Sequence, residues 1–152
     1  MLVLKDFNDD ILTVFKPHNN TDVAKLQDIL KCVGYKNYII SYDHPWLLIK
    51  KAKFTFSYTS SSVLIDAYFN GCPTVEYAHY DSRFFKLNDG QPKYLECVDY
   101  FIHRDVERLK NVLHEVIHND IHVQRDPEKL KEDFTILSSE EIREKFNWLV
   151  NK

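Results

Sequence analysis

Apolar and polar positions alternate along the chain in short blocks that predict strands and helices in turn. Residues 11–15 form an apolar, β-rich run that ends in Lys16-Pro17-His18, and the turn-forming cluster Asn19-Asn20-Thr21-Asp22 follows. A strand stops and a helix starts there. Val23, Leu26, Ile29 and Leu30 recur at helical spacing up to Gly34, which stands where a left-handed glycine ends a helix. Residues 38–42 read as a second strand. Asp43-His44-Pro45-Trp46 opens a short helix, with the proline at an early position where its missing N–H costs nothing. Leu47, Leu48 and Ile49 are expected on the buried side of that helix, and Lys50, Lys51 and Lys53 close it in favour with the helix dipole.

Residues 54–58 read as a third strand, followed by a hydroxyl-rich turn and a helix whose core-facing side carries Val63, Leu64, Ala67 and Tyr68. Residues 74–77 form a fourth strand. The stretch from His79 to Lys93 has no clear period and contains Gly90 and Pro92, so a loop bordering a site is expected. Residues 98–102 read as a fifth strand. Asp105 caps a helix through about His118, with Val106, Leu109, Val112, Leu113 and Val116 on its apolar side; a last helix runs from about Ser139, with Ser138 and Glu141 at capping-box spacing.

Strands alternating with helices at this spacing predict an α/β class. The architecture expected is a Rossmann-like three-layer domain, with a parallel sheet of about five strands between flanking helices. Residues 1–152 read as one such domain with a C-terminal helical tail from about 124. A chain of 152 residues that is 44% hydrophobic and 14% aromatic has the material for a packed core. The formal charge of −3 gives no global attraction to nucleic acid or to an anionic membrane, so an anion site must be local. The three cysteines, Cys32, Cys72 and Cys97, form no C-x-x-C pair and read as buried thiols in a reducing compartment. The early apolar run is too short for a signal segment and no window reaches the length of a membrane span, so a cytoplasmic chain is expected.

With only three glycines the chain has neither G-x-G-x-x-G nor a Walker loop, and no G-x-S-x-G elbow occurs. The chemistry lies elsewhere. In parallel sheets ligands bind outside the carboxyl ends of the strands, where Lys16-Pro17-His18, Asp43-His44 and residues 59–62 all fall. Ser60, Ser61 and Ser62 are placed to hold a phosphate at the start of a helix. Serines are equally the ordinary caps of a helix, and a first-turn acid such as Asp66 needs no ligand to stabilise the dipole. His114, His118 and His122 are spaced four apart, but Asn119-Asp120 is expected to end the helix before the third, so no metal site is assigned.

The segment from about Ile11 to Tyr77 resembles the donor-binding half of GT-B glycosyltransferases. The likeness is to the bacterial surface-polysaccharide group, which includes CDP-glycerol glycerophosphotransferases and capsule Kdo and sialyl transferases. The residues that carry it are Lys16-Pro17-His18 after a strand, Ser61-Ser62-Val63 opening a helix, Asp66 one turn on, and Gly71-Cys72-Pro73 before the next strand. Asn19 stands where that family usually has the proline of His-Pro, and Thr59 where some members have aspartate.

The resemblance implies a donor-nucleotide-binding domain for a CMP-, CDP- or UDP-linked sugar or glycerol, acting in surface polysaccharide synthesis without metal or cofactor. Ser61 and Ser62 would grip phosphate oxygens, with Ser60 beside them, and His18 would give a hydrogen bond or proton to the leaving phosphate as the catalytic group. Lys16 would add charge, and Asp66 or Glu76 would accept from ribose hydroxyls. The chain is shorter than a whole GT-B enzyme, so an N-terminal acceptor domain carrying the base is expected as partner. The resemblance also implies association of the intact enzyme with the inner face of the membrane. Two other classes remain open at this point: a non-catalytic α/β module that docks a partner, and half of a sugar-nucleotide epimerase.

Overall fold

The computed structural model describes residues 2–126 together with Ser138, Glu140, Glu141, Arg143 and Glu144. In chain order the elements are α1 (Leu2–Lys5), β1 (Thr13–Phe15), α2 (Val23–Cys32), β2 (Tyr38–Ile40), α3 (Pro45–Ile49) and β3 (Thr55–Tyr58). They continue as α4 (Val63–Phe69), β4 (Thr74–Ala78), α5 (Ser82–Leu87), a 3-10 turn at Leu95–Cys97, β5 (Tyr100–His103) and α6 (Val106–His118). The class is α/β with parallel strands, as the alternation predicts.

The described strands form two sheets rather than one. β1 pairs with β2 in parallel, Thr13 opposite Tyr38 and Phe15 opposite Ile40. β3, β4 and β5 form a separate parallel sheet in that order, with Phe56 opposite Val75 and Val75 opposite Tyr100. The expectation of a single sheet of about five strands is corrected to sheets of two and three strands. β1 is only three residues long and runs into Lys16-Pro17. A proline has no N–H to offer a second neighbour and turns the chain off the sheet.

Local capping chemistry sets the helix ends. Asp22 accepts from the Lys25 N–H at 3.0 Å at the start of α2. At its other end Gly34 has φ +70°, the Gly34 N–H reaches the Lys31 carbonyl at 3.0 Å, and the Tyr35 N–H reaches the Leu30 carbonyl at 2.9 Å. That pair of bonds is a Schellman stop, which requires the left-handed residue. Asp105 caps α6 through the Arg108 N–H at 2.9 Å. The predicted capping box is present: the Ser138 N–H donates to Glu141 Oε2 at 2.8 Å and the Glu141 N–H donates to Ser138 Oγ at 3.2 Å. Residues 121–126 are not helical; the rest of the helical tail expected from about 124 lies outside the described residues apart from those around the box.

Helix α5 lies within the stretch read as a loop, and Gly90 at φ +74° ends it with its N–H on the Phe85 carbonyl at 2.8 Å. A Cβ at Gly90 would stand 3.2 Å from the Phe85 ring, which would have to shift by a few tenths of an ångström, and the positive φ itself favours glycine.

The main core lies on one face of the three-stranded sheet. Val75 and Ile102 pack there with Val3 and Phe7 from the N-terminal segment and with Leu109, Val112, Leu113, Val116 and Ile117 of α6. Helix α4 packs on β3 and β4 and buries Leu64 and Ala67, with Ile49 of α3 and Cys72 alongside. Leu47 is 60% exposed, against expectation, because a helix of five residues has room for only one apolar side and Ile49 occupies it. At the amino ends of β4 and β5, Arg125 fastens the chain after α6. Its Nη2 donates to Asp99 at 2.8 Å and to the Cys72 carbonyl at 2.9 Å, and its guanidinium lies 4.5 Å above the Tyr68 ring.

Cys72 and Cys97 are buried, whereas Cys32 at the end of α2 is exposed, which corrects the expectation of three buried thiols. Burial pushes the Cys72 thiol above its ordinary value, which further suppresses its thiolate. Titration of the native protein with an aromatic disulfide reagent is expected to release one equivalent rapidly and the other two only on unfolding, with Cys32→Ser removing the rapid phase.

Candidate functional site

The strand ends that the sequence singles out meet at the junction of the two sheets. A cleft of about 190 Å³ opens there, lined by Lys16, Pro17, His18 and Asn19 after β1, Pro45 at the start of α3, and Ser61 and Val63 at the turn after β3. Pro17 is buried and anchors the first wall, leaving Lys16 and His18 exposed on either side of it. The His18 ring accepts the Asn20 N–H at Nδ1 over 3.3 Å. In the neutral ring that bond leaves the proton on Nε2, the nitrogen free to donate. Lys16 Nζ reaches the Pro17 carbonyl at 3.4 Å. None of the lining residues is acidic, and Lys16 brings a positive charge to the cleft wall.

The opposite wall is a strained turn. Thr59 has φ +76°, a left-handed conformation that a β-branched residue adopts only under constraint. Ser57 Oγ donates to the Thr59 carbonyl at 2.5 Å and holds it. The three serines that follow then separate. Ser60 acts on the Tyr80 hydroxyl, whose proton loss it eases. Ser61 lines the cleft, and its Oγ accepts the Val63 N–H at 3.3 Å. Ser62 precedes α4 without a side-chain capping bond and is exposed. The cleft thus brings together Lys16, His18 and Ser61, while Ser60, Ser62 and Asp66 do not line it. His44 caps α3 by accepting the Trp46 N–H at 3.3 Å.

Beneath the turn lies a group whose part the sequence reading missed. Glu76, at the middle of β4, is fully buried and accepts the Tyr80 hydroxyl at Oε1, while its Oε2 has no hydrogen-bond partner. It is not open to a ribose, which removes that expectation. Burial raises the Glu76 carboxyl above its ordinary value, opposed by the Tyr80 hydrogen bond. Burial and the neighbouring carboxyl also raise the Tyr80 hydroxyl, eased by Ser60. The Tyr80 carbonyl is clamped in turn by Arg104 Nη2 at 2.6 Å and His103 Nε2 at 3.4 Å, and the His103 ring stacks on Phe85 with centroids 4.1 Å apart. A lone acid in the strand Thr74-Val75-Glu76-Tyr77-Ala78 was the available signal, because a carboxyl flanked by apolar residues on a central strand must find a partner.

On α6 the His114 and His118 rings lie 4.5 Å apart, and among the described residues no group of three potential ligands stands together to hold a metal. Fold and site together define an α/β domain of parallel strands with a cleft bearing cationic and hydroxyl groups at its strand ends. Compared with known proteins, the chain matches no family model, no curated sequence and no solved structure. Among the described residues no helix is long and apolar enough to cross a membrane.

The Glu76 shift sets a pH dependence. A carboxyl whose native pKa lies above its unfolded value of about 4.3 binds more protons in the folded state, so its contribution favours folding in acid. That contribution is lost as pH rises from the unfolded pKa through the native one. The stability of Glu76→Gln relative to the native protein is expected to increase over that window, measured as urea midpoints at successive pH values; a flat difference would remove the assignment.

Proposed function

We propose that the cleft binds the phosphate of a nucleotide-activated donor, and that the chain is a donor-nucleotide-binding domain of a glycosyltransferase-like protein of surface polysaccharide synthesis. The observation that carries the reading is the meeting of Lys16, His18 and Ser61 on one acid-free cleft at the carboxyl ends of β1 and β3. The groups come from two turns far apart in sequence, Lys16 and His18 after β1 and Ser61 after β3, and each brings a donor suited to a phosphate oxygen: an ammonium, an imidazole N–H and a hydroxyl.

The charge comes from side chains, since α4 has only seven residues and its terminus is not a site by itself. At about 190 Å³ the cleft is smaller than the roughly 300–1,000 Å³ of a pocket that engulfs a drug-sized ligand. It suits the phosphate end of a nucleotide, with the remainder held elsewhere. In this reading His18 donates to the phosphate as it leaves, Lys16 neutralises it and Ser61 orients it. An acceptor domain supplies the base, and the intact protein works at the inner, cytoplasmic face of the membrane.

Isothermal titration with CMP, CDP and UDP tests this. Saturable binding to at least one nucleotide is expected, weakened about tenfold or more by Ser61→Ala, His18→Ala or Lys16→Ala, the loss typical of a hydrogen bond to a charged group. Unchanged affinity in all three variants would sink the site.

One observation favours a second reading, a non-catalytic module that docks a partner. Val14 and Ile39 are exposed register partners on one face of the two-stranded sheet, and Leu12, just before β1, is exposed as well. That reading requires absence of nucleotide binding together with self-association or partner capture lost on Val14→Lys.

A further inference from the structure

Helix α6 ends in His114-Glu115-Val116-Ile117-His118, two histidines four residues apart with a glutamate after the first. Side chains at that spacing lie one turn apart on a single helix face. H-E-x-x-H on a helix is a spacing that holds zinc between two imidazoles. His122 does fall beyond the end of α6, as its sequence position predicts, but a pair of histidines is enough to chelate an ion.

The structure sets this pattern in the orientation that chelation needs. Val116 and Ile117, its middle residues, are buried in the main core beside Val112 and Leu113. That burial fixes the rotation of the helix and leaves His114, Glu115 and His118 exposed. The two imidazole rings lie 4.5 Å apart with their planes inclined at 54°. One ion with metal–nitrogen bonds of about 2.0–2.1 Å can bridge rings at that separation. The turn that bears His118 is itself held: the Asn119 N–H donates to the Glu115 carbonyl at 3.0 Å, and Lys53 Nζ donates to the Ile117 carbonyl at 2.8 Å. Lys110, one turn before His114, has Glu107 at 3.6 Å and Asp6 at 3.9 Å, and these carboxylates offset its repulsion of a cation.

We propose that His114 and His118 form a chelating site for a divalent transition-metal ion of the zinc and nickel class, with water completing the coordination. Imidazole suits both ions. Among the described residues no group of three ligands stands together, and zinc hydrolases hold their ion with three protein ligands, so no hydrolytic role is assigned. Glu115 accepts the Tyr100 hydroxyl at 2.9 Å, which ties the same turn to β5. Both ligands stand on a helix that is already folded, so the ion selects the native chain over the unfolded one. The site is independent of the phosphate reading of the cleft.

Isothermal titration of the full chain with Ni²⁺ and with Zn²⁺ tests the site, in a Cys32→Ser background that removes the exposed thiol as a competing ligand. Saturable binding of one ion per chain is expected. His114→Ala and His118→Ala are each expected to weaken it at least tenfold, a loss already seen when mere outer-shell partners of a metal are removed. Ring NMR signals of both histidines are expected to shift together on adding Zn²⁺. Saturating Zn²⁺ is expected to raise the thermal midpoint of the parent chain and not that of the double variant. Both side chains are exposed, so the variants should melt with the parent when no metal is added, which the same scans check. No saturable binding by the parent, affinity that survives in the double variant, or a loss confined to one of the two histidines would each overturn the site.

Discussion

The molecule is organised around β4, a strand buried on both faces and bonded along both edges. Thr74, Val75, Glu76 and Ala78 have no accessible surface, and the strand takes β3 on one side and β5 on the other. Burial of this kind makes two demands: each face needs its own cover, and each polar atom needs a partner. The apolar side of α6 meets the first on the Val75 face, and α4 packs against the sheet as well. The second is met at the amino end by Asp99, which accepts both the N–H and the hydroxyl of Thr74 at 2.8 and 2.9 Å. Arg125 then compensates the Asp99 charge. In the middle it is met only in part, at Glu76.

That partial satisfaction links the core to the edge where the cleft opens. Immediately past the last residue of β3 comes Thr59 at φ +76°, and immediately past the last residue of β5 comes Arg104 at φ +58°. Both strands flanking β4 therefore end in a left-handed non-glycine residue, each worth about 1–3 kcal/mol of strain. Such strain persists only where neighbouring bonds over-determine it. Ser57 holds Thr59, and the Arg104 N–H bonds the Ala78 carbonyl at 3.1 Å while its guanidinium holds Tyr80. The carboxyl edge is thus a braced frame rather than a set of loose loops.

The parts of this arrangement that were legible in the sequence are those decided by local chemistry. Asp22, Gly34, Asp105 and the Ser138–Glu141 box act within a few residues of themselves, so spacing alone located them. The existence and direction of the strands followed from apolar runs and the helices between them. The division into two sheets did not, because whether β1 meets β3 depends on edges brought together by the whole fold. Helix α5 was hidden in a stretch whose charged residues blur its period. Of the candidate site, Lys16, His18 and Ser61 were legible because topology alone puts strand ends together. Ser60, Ser62 and Asp66 were not separable from Ser61, since which serine faces the cleft depends on the left-handed turn at Thr59.

The size of the cleft carries the last step. Its wall supplies donors and positive charge, and its apolar members, Val63, Pro17 and Pro45, include no Phe, Tyr or Trp ring. Binding of a base or a sugar ring draws on broad apolar or aromatic contact, whereas a phosphate is held by a few well-placed donors. On the proposed reading, a site with donors and without such a platform holds the phosphate, and the rest of a nucleotide lies on a surface this cleft does not provide. On that reading, binding at this cleft would measure chiefly phosphate recognition, with little discrimination between one nucleotide base and another.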